Sequence, residues 1–298
     1  MDVLVSGSTG LVGSKLIPAL RDGGHRVTRL VRSEPSGEDE VRWDPSAGEI
    51  DTARLAGHDA AVHLAGENVA KGRWTSEKKA RILDSRVQGT RLLSEALAGL
   101  PEPPGVMVAA SASGYYGDRD DELLREESGP GDTFLSRVCQ EWEAAAEPAR
   151  EAGIRVANLR FGIVLSPEDG ALGTTLPIFK LGGGGRIGDG KQYWSWVTID
   201  DVVGSIIHAL TDPPVEGPVN VVSPEPLTNA EYTKTLGKVL NRPTVVPFPA
   251  PAARLALGEV ADELLLASAR VEPAKLKDTG YEFRHPELEG ALRHLLER

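Results

Sequence analysis

The chain has 298 residues, and 44 acidic side chains outnumber 33 basic ones to give a formal net charge of −11. An acidic chain without basic runs is a poor candidate for binding nucleic acid or an anionic membrane. The single cysteine, Cys139, excludes an internal disulfide framework and a cysteine-based zinc site, which fits a reducing compartment. The sequence shows no signal-peptide pattern and no apolar run of the ~18 residues that a membrane span requires. We therefore expect a cytoplasmic protein.

Apolar runs typical of buried strands alternate with helical patterns through the first 165 residues. Strands are predicted at Val3–Ser6, Val27–Val31, Val41–Trp43, Asp59–Ala65, Val106–Ala110 and Arg155–Leu165. Helices are predicted at Leu11–Leu20, Ser76–Leu97 and Phe134–Ala149. Apolar strands that alternate with helices form a parallel sheet covered on both faces. The predicted fold class is therefore α/β, with a Rossmann-type doubly wound parallel sheet.

The alternation weakens after Ser166. Glycine-rich Gly182–Gly190 predicts a flexible loop that could act as a lid over a substrate cleft. Further elements are predicted at Ile199–Leu210, Val219–Val222, Asn229–Leu240, Ala252–Leu266 and Pro286–Leu296. We expect residues 1–165 to form the Rossmann core, with 193–222 returning to it. Residues 166–192 and 223–298 would form a smaller α+β substrate lobe that ends in a helical region.

Gly7, Gly10 and Gly13 occupy the turn between the first predicted strand and the first predicted helix. A helix N-terminus offers unpaired N–H groups and a positive dipole to a pyrophosphate. Glycines at this turn permit the close approach of backbone and ligand. Although the spacing is GxxGxxG, its strand–turn–helix context predicts a dinucleotide site. The alternative is a tight turn without a ligand.

The second predicted strand indicates which dinucleotide would bind. An NAD-specific site places Asp or Glu at the end of this strand to bind the ribose 2′-hydroxyl. Here Arg32 stands at that position, and the first carboxylate is Glu34. A guanidinium binds a 2′-phosphate well, so NADP is favoured over NAD. The alternative is that Arg32 is a solvated surface arginine.

Several motifs together resemble the extended short-chain dehydrogenases/reductases of the NAD-dependent epimerase/dehydratase type. Beyond the glycine turn they are Leu64–Gly66, Val87–Leu93, Ser113–Gly117 and Trp196–Val202. A narrower resemblance covers nearly the whole chain and includes Trp43–Pro45, Arg73–Thr75, Cys139–Glu143 and Pro224–Asn229. It is to the branch of epimerase-family proteins of uncertain activity that carry a C-terminal domain of unknown function.

The resemblance implies a set of cofactor contacts along the carboxyl ends of the strands. The pyrophosphate would lie on Gly7, Thr9, Gly10, Leu11 and Val12, the 2′-phosphate on Arg32 and the adenine edge on Asp44. The path to the nicotinamide ribose would be lined by Leu64, Ala65 and Gly66, and the nicotinamide would lie beside Phe161, Gly162 and Ile163. Ser111, which flanks the Ser/Thr position of the family, is also predicted to bind the cofactor.

The ordinary catalytic pattern of that family is missing. Most members carry a Tyr-x-x-x-Lys pair in which the lysine lowers the tyrosine pKa and the tyrosine acts as general acid or base. None of the five tyrosines here has a lysine four residues on. In register with the family, Leu135 and Cys139 replace the pair, Ala112 replaces the Ser/Thr partner, and Arg86 replaces an active-site asparagine.

Tyr116 is the best remaining candidate for a proton donor, helped by Ser113 or Arg86. The alternative is that Tyr115 and Tyr116 are packing residues with satisfied hydroxyls. The six histidines show no metal-ligand spacing, so we expect no metal site. The sequence thus favours an NADP-dependent oxidoreductase or epimerase-like enzyme acting on an unidentified small molecule. The alternative is a non-catalytic NADP(H)-binding redox sensor or scaffold protein; a homodimer is left open.

Overall fold

The computed structural model describes residues 1–211 and 215–298 and centres on an eight-stranded sheet. The strands in chain order are β1 (Asp2–Ser6), β2 (Arg26–Val31), β3 (Glu40–Asp44), β4 (Glu49–Ile50), β5 (Ala60–His63), β6 (Val106–Ala112), β7 (Leu123–Leu124), β8 (Arg155–Phe161), β9 (Ile163–Leu165), β10 (Tyr193–Trp194), β11 (Trp196–Thr198), β12 (Gly217–Val221), β13 (Leu227–Thr228) and β14 (Arg270–Val271). The sheet order is β12-β8-β6-β5-β1-β2-β3-β4, and its pairs are parallel except β3 with β4.

Helices connect the strands and build the second half of the chain. They are α1 (Leu11–Asp22), α2 (Ser76–Ala98), α3 (Phe134–Ala144), α4 (Glu147–Glu151), α5 (Gly170–Lys180), α6 (Ile199–Thr211), α7 (Asn229–Leu240), α8 (Ala250–Leu257), α9 (Ala274–Asp278) and α10 (Leu288–Leu295). Two 3₁₀ turns, Thr52–Arg54 and Ser113–Tyr116, and a π-helical segment, Ala261–Leu266, complete the described elements. Among the described helices, none has the length and apolar character needed to cross a membrane.

Alternate residues of the central strands pack against helices on opposite faces of the sheet, as the period of two requires. Val3 and Val5 of β1 lie in one apolar core with Leu16 of α1. Leu4, between them, lies in the other core with Leu93 of α2. The predicted α/β class with helices on both faces is confirmed.

The carboxyl-terminal part builds a third core and is attached to the sheet domain by a buried carboxylate. Trp194 and Trp196 pack there with side chains of α5, α7 and α10. Asp201 of α6 accepts hydrogen bonds from the backbone N–H groups of Arg284 (2.7 Å) and His285 (3.1 Å). Because Asp201 is buried, these bonds fix the 284–285 segment against the start of α6.

Three predicted elements are broken where the chain has a specific reason to turn. The helix predicted at 134–149 divides into α3 and α4, because Pro148 cannot donate the next helical hydrogen bond. The strand predicted at 155–165 divides at Gly162, whose Cβ position would lie 2.4 Å from the Ser195 carbonyl oxygen. Beyond Gly162 the chain pairs with β11 instead of β12. The helix predicted at 252–266 breaks at Gly258, where φ is +65°.

The region after Ser166 departs most from the sequence prediction. Helix α5 was not predicted, because Gly173 and Pro177 lower the helical propensity of its sequence. The predicted lid loop, 182–190, is held by backbone hydrogen bonds from Gly188 N to Phe248 O and from Phe248 N to Arg186 O, both 2.9 Å. A loop tied to its neighbour in this way does not support the predicted lid function.

Candidate functional site

The glycine turn between β1 and α1 is packed so closely that two of its glycines cannot carry a side chain. Gly7 has a φ of +70°, and a Cβ on it would lie 2.7 Å from the carbonyl carbon of Leu64. A Cβ on Gly13 would lie 2.3 Å from the Gly7 carbonyl oxygen. Helix α1 has Gly10 at its N-cap and no side-chain cap. The N–H groups of its first turn can therefore bind an anionic ligand.

The turn lies at the point where the strand order reverses direction. The chain runs outward from β1 to β2 and β3 on one side, and to β5 and β6 on the other. A crevice opens at the carboxyl end of β1 in such sheets and binds dinucleotides in folds of this type. The predicted pyrophosphate residues, Gly7 to Val12, line this position.

The segment after β5 is fixed beneath the glycine turn by a serine–histidine pair. Ser6 Oγ lies 2.7 Å from His63 Nδ1 and accepts a hydrogen bond from Leu64 N at 3.2 Å. Burial lowers the pKa of His63 to about 4, so the imidazole is neutral at pH 7. Gly66 lies against the Arg86 guanidinium: a Cβ on Gly66 would be 3.3 Å from Arg86 Cζ. The predicted ribose-lining residues Leu64, Ala65 and Gly66 thus adjoin the glycine turn.

Arg32 directly follows β2, at the carboxyl edge of the sheet. Its side chain is exposed and, within the described residues, makes no ion pair or hydrogen bond. Glu34, the acidic residue closest to it in sequence, is paired with Arg42 instead. The Arg32 guanidinium is therefore free to receive a phosphate at this edge.

Asp44 is predicted to contact the adenine edge. In the structure its carboxylate accepts hydrogen bonds within the turn that follows β3. Its Oδ1 accepts hydrogen bonds from Ser46 Oγ at 2.6 Å and from Ser46 N at 3.0 Å. The pKa of the Asp44 carboxyl is lowered, mainly by the hydrogen bond from the Ser46 side chain. Oδ2 makes no hydrogen bond within the described residues, so only that oxygen is available to a base.

A buried polar network crosses the carboxyl ends of three neighbouring strands. Ser111 of β6 lies opposite Arg160 of β8, which lies opposite Asn220 of β12. The Arg160 guanidinium donates to both carboxylate oxygens of Glu143 on α3, each at 2.8 Å. Ser111 Oγ donates to the same carboxylate at 2.7 Å. Burial disfavours the charge of Arg160, but its pKa is raised overall because the hydrogen bonds to Glu143 outweigh burial.

Tyr116 belongs to this network and does not reach the cleft. Its side chain is fully buried, and its hydroxyl donates to Asn220 Oδ1 at 2.7 Å and accepts from Arg160 Nη1 at 3.0 Å. Burial raises the pKa of Tyr116 to about 12. This position does not support the proton-donor role predicted for it.

The preceding tyrosine is in a different environment. Tyr115 is only half-buried, and the Arg160 guanidinium lies 3.4 Å from the centre of its ring. Within the described residues no hydrogen bond is made by the Tyr115 hydroxyl. Arg160 therefore fixes the ring of Tyr115 and leaves its hydroxyl unpaired.

Leu135 and Cys139, which the resemblance places at the Tyr and Lys positions, carry no acid–base chemistry. Leu135 packs closely against Gly114: a Cβ added to Gly114 would lie 3.3 Å from Leu135 Cβ. Cys139 is buried, and its Sγ donates to the Ala112 carbonyl oxygen at 3.6 Å. Burial, with the nearby Glu143 carboxylate, raises the pKa of Cys139 to about 12. A thiol with this pKa remains protonated and unreactive at neutral pH.

The two predicted helpers of Tyr116 lie apart from its hydroxyl. Arg86 Nη1 donates to the carbonyl oxygens of Glu67 (2.9 Å) and Ile82 (3.1 Å). Its guanidinium also lies 4.8 Å from the ring centre of Trp142. Ser113 is half-buried and makes no side-chain hydrogen bond within the described residues. Its hydroxyl therefore remains available to a ligand.

The network around Arg160 was missed by the sequence analysis, although a signal was present. Arg160 and Asn220 stand inside largely buried strands, where a charge or an amide requires a buried partner. Glu143 was noted only as a residue shared with the family. The three residues are far apart in sequence, so their contact depends on the order of the strands.

Comparisons with known proteins agree with this architecture. The family model for the NAD dependent epimerase/dehydratase family matches residues 3–222, and a domain of unknown function, DUF1731, matches residues 248–295. An epimerase family protein of Mycobacterium tuberculosis is 42% identical over 290 residues, covering 97% of this chain and 96% of that protein.

Solved structures show the same fold. The human epimerase family protein SDR39U1 (isoform 2), crystallised with NADPH, has a TM-score of 0.92 and 36% identity and covers 100% of both chains. A nucleoside-diphosphate sugar epimerase from Corynebacterium glutamicum has a TM-score of 0.83 and 39% identity, covering 99% of this chain and 58% of that one. The suspected resemblance is confirmed: this chain belongs to the NAD-dependent epimerase/dehydratase family and carries its C-terminal domain of unknown function.

Proposed function

We propose that this protein is an NADP(H)-binding oxidoreductase of the epimerase/dehydratase type that acts on a small molecule. The observation that carries the proposal is the unpaired Arg32 beside a glycine turn whose helix has no side-chain cap. Gly7, Gly10 and the first turn of α1 would hold the pyrophosphate, and Arg32 would hold the 2′-phosphate. When bound, the cofactor supplies hydride transfer, while the chain supplies orientation and a proton route.

The first test is a titration with NADPH and NADH followed by tryptophan fluorescence. Because a hydrogen bond to a charged group contributes about 1.5–3 kcal/mol, Arg32→Ala should weaken NADPH binding roughly 10- to 150-fold. NADH affinity should change less than about twofold, since the 2′-hydroxyl needs no cation.

Arg26→Ala is the matched control, since Arg26 begins the same strand at its other end and pairs with Asp2. It should leave both affinities unchanged. An equal loss of both cofactors in Arg32→Ala would contradict the NADP preference. Absence of any binding by the unmodified protein would remove the central claim.

For the proton route we propose Tyr115, with Ser113 beside it, in place of Tyr116. Support comes from the unpaired hydroxyl of half-buried Tyr115, compared with the hydrogen-bonded hydroxyl of fully buried Tyr116. The Arg160 guanidinium, 3.4 Å from the centre of the Tyr115 ring, holds that ring in place.

This assignment makes opposite predictions for two neighbouring substitutions. Tyr115→Phe should lower kcat for NADPH oxidation about 10²- to 10⁴-fold and leave NADPH affinity unchanged, as expected for loss of a general acid. Tyr116→Phe should instead lower the melting temperature, because Asn220 and Arg160 each lose a buried partner. The measurement is a substrate screen with carbonyl compounds, followed by kinetics and thermal unfolding of both variants. Full activity in Tyr115→Phe would exclude Tyr115 from the proton route.

The second candidate function is a non-catalytic NADP(H)-binding redox sensor or scaffold protein. The specific observation in its favour is that Leu135 and Cys139, at the catalytic positions of the family, are buried and without acid–base chemistry. Tight NADPH binding without oxidation by any carbonyl compound in the screen would favour this function. The cytoplasmic location and the homodimer remain predictions.

A further inference from the structure

The histidine spacing of the sequence predicts no metal site, yet the fold brings three distant ligand-type residues together. We propose that Asp200, His285 and His294 form a binding site for a divalent transition-metal ion of the Zn²⁺ class. Asp200 lies in the first turn of α6, His285 precedes α10, and His294 lies in its last turn. A bound ion would connect the carboxyl-terminal helix to the sheet domain.

The three side chains already lie at distances close to those of a metal site. One ligand atom from each lies within 4.8 Å of those of the other two. His294 Nε2 and Asp200 Oδ2 are 3.2 Å apart. Zinc bonds of about 2.0–2.2 Å at tetrahedral angles place neighbouring ligand atoms at a similar separation. Small side-chain rotations would therefore complete the three-ligand set.

The backbone that carries these ligands is fixed independently of any ion. Buried Asp201, next to Asp200, accepts a hydrogen bond from the N–H of His285. Helix α10 is held in the third core by Leu288 and Leu292, so His294 projects from an anchored helix. Binding would order side chains rather than backbone, which keeps its entropy cost low.

The ligand chemistry selects the class of ion. Two imidazoles and one carboxylate suit Zn²⁺ and Co²⁺, whereas Mg²⁺ and Ca²⁺ prefer an all-oxygen set. The rings of His285 and His294 stack with centres 4.1 Å apart and an angle of 21°. The side chains of His294 and Asp200 remain 50% and 35% exposed, so solvent can supply a fourth ligand.

Thermal unfolding of metal-free protein with added ZnCl₂ tests the proposal. At a Zn²⁺ concentration about 100 times its Kd, we expect the melting temperature to rise by about 5 °C. His294→Ala, an exposed position of α10, should abolish the rise. His25→Ala removes a histidine between α1 and β2 and retains all three ligands, so it should show the full rise.

Cobalt gives a second readout that does not depend on stability. Co²⁺ added to the metal-free protein should produce the visible absorption of a four-coordinate ion in the unmodified chain and in His25→Ala, but not in His294→Ala or Asp200→Asn. An equal Zn²⁺ shift in His294→Ala, or the absence of both the shift and the Co²⁺ spectrum in the unmodified protein, would overturn the proposal. NADPH binding in His294→Ala should remain unchanged, which separates this site from the proposed function.

Discussion

Replacing Glu143 with alanine should reduce the free energy of unfolding by about 3–5 kcal/mol, the usual cost of breaking a buried ion pair by removing one partner. Arg160 is only 3% exposed, and Glu143 is its sole carboxylate partner within the described residues. The variant would leave a buried guanidinium without a counter-charge and remove the acceptor of Ser111. Urea unfolding measures the loss, and the melting temperature should fall by about 10 °C.

Glu147→Ala is the matched control on the next helix. Glu147 pairs with Arg150, but these side chains are 56% and 30% exposed, and such surface pairs contribute at most about 1 kcal/mol. A double variant, Glu143→Ala with Arg160→Met, should recover much of the loss by removing the unpaired charge. Equal losses in Glu143→Ala and Glu147→Ala would show that the buried pair is no more important than a surface pair.

The same network shows why part of the site was predictable and part was not. Except for the two-residue strand β4, which was not predicted, the order of strands and helices from β1 to β6 followed from local apolar runs and their spacing. The glycine turn and Arg32 could be predicted because each is recognised by its position directly after a strand. The turn follows β1, and Arg32 follows β2. Glu143, Arg160 and Asn220 meet only after β6, β8 and β12 have become neighbours, which no local pattern specifies.

Two adjacent tyrosines show the same limit of sequence-based prediction, namely that tertiary contacts cannot be read from a local pattern. Tyr115 and Tyr116 have the same chemistry and adjacent positions, so sequence could not determine which hydroxyl is buried. The 3₁₀ turn at 113–116 directs Tyr116 toward Asn220 and leaves Tyr115 against Arg160. The contact between Asp200 and His294 was hidden from the sequence in the same way, because the two residues are 94 positions apart and meet only across α6 and α10.

Gly7→Ala should weaken NADPH binding about 10- to 100-fold, because its methyl group would overlap the backbone of the segment that lines the cleft. The Cβ would lie 2.7 Å from the Leu64 carbonyl carbon and 2.8 Å from the Ala65 nitrogen. Relief requires the glycine turn and residues 64–66 to separate, and overpacking of this kind costs about 1–3 kcal/mol. The measurement is the Kd for NADPH by tryptophan fluorescence.

Gly24→Ala is the matched control. It measures the stability lost when an L-residue adopts a positive φ, without the steric overlap expected at Gly7. Gly24 has a φ of +79°, close to the +70° of Gly7, but a Cβ there would meet nothing within 4 Å. Both variants should lose the roughly 1–2 kcal/mol of stability that an L-residue pays in this conformation. Only Gly7→Ala should lose NADPH affinity, since Gly24 precedes β2 at the opposite edge of the sheet. Unchanged affinity in Gly7→Ala would mean that contact between the turn and residues 64–66 does not shape the cofactor site.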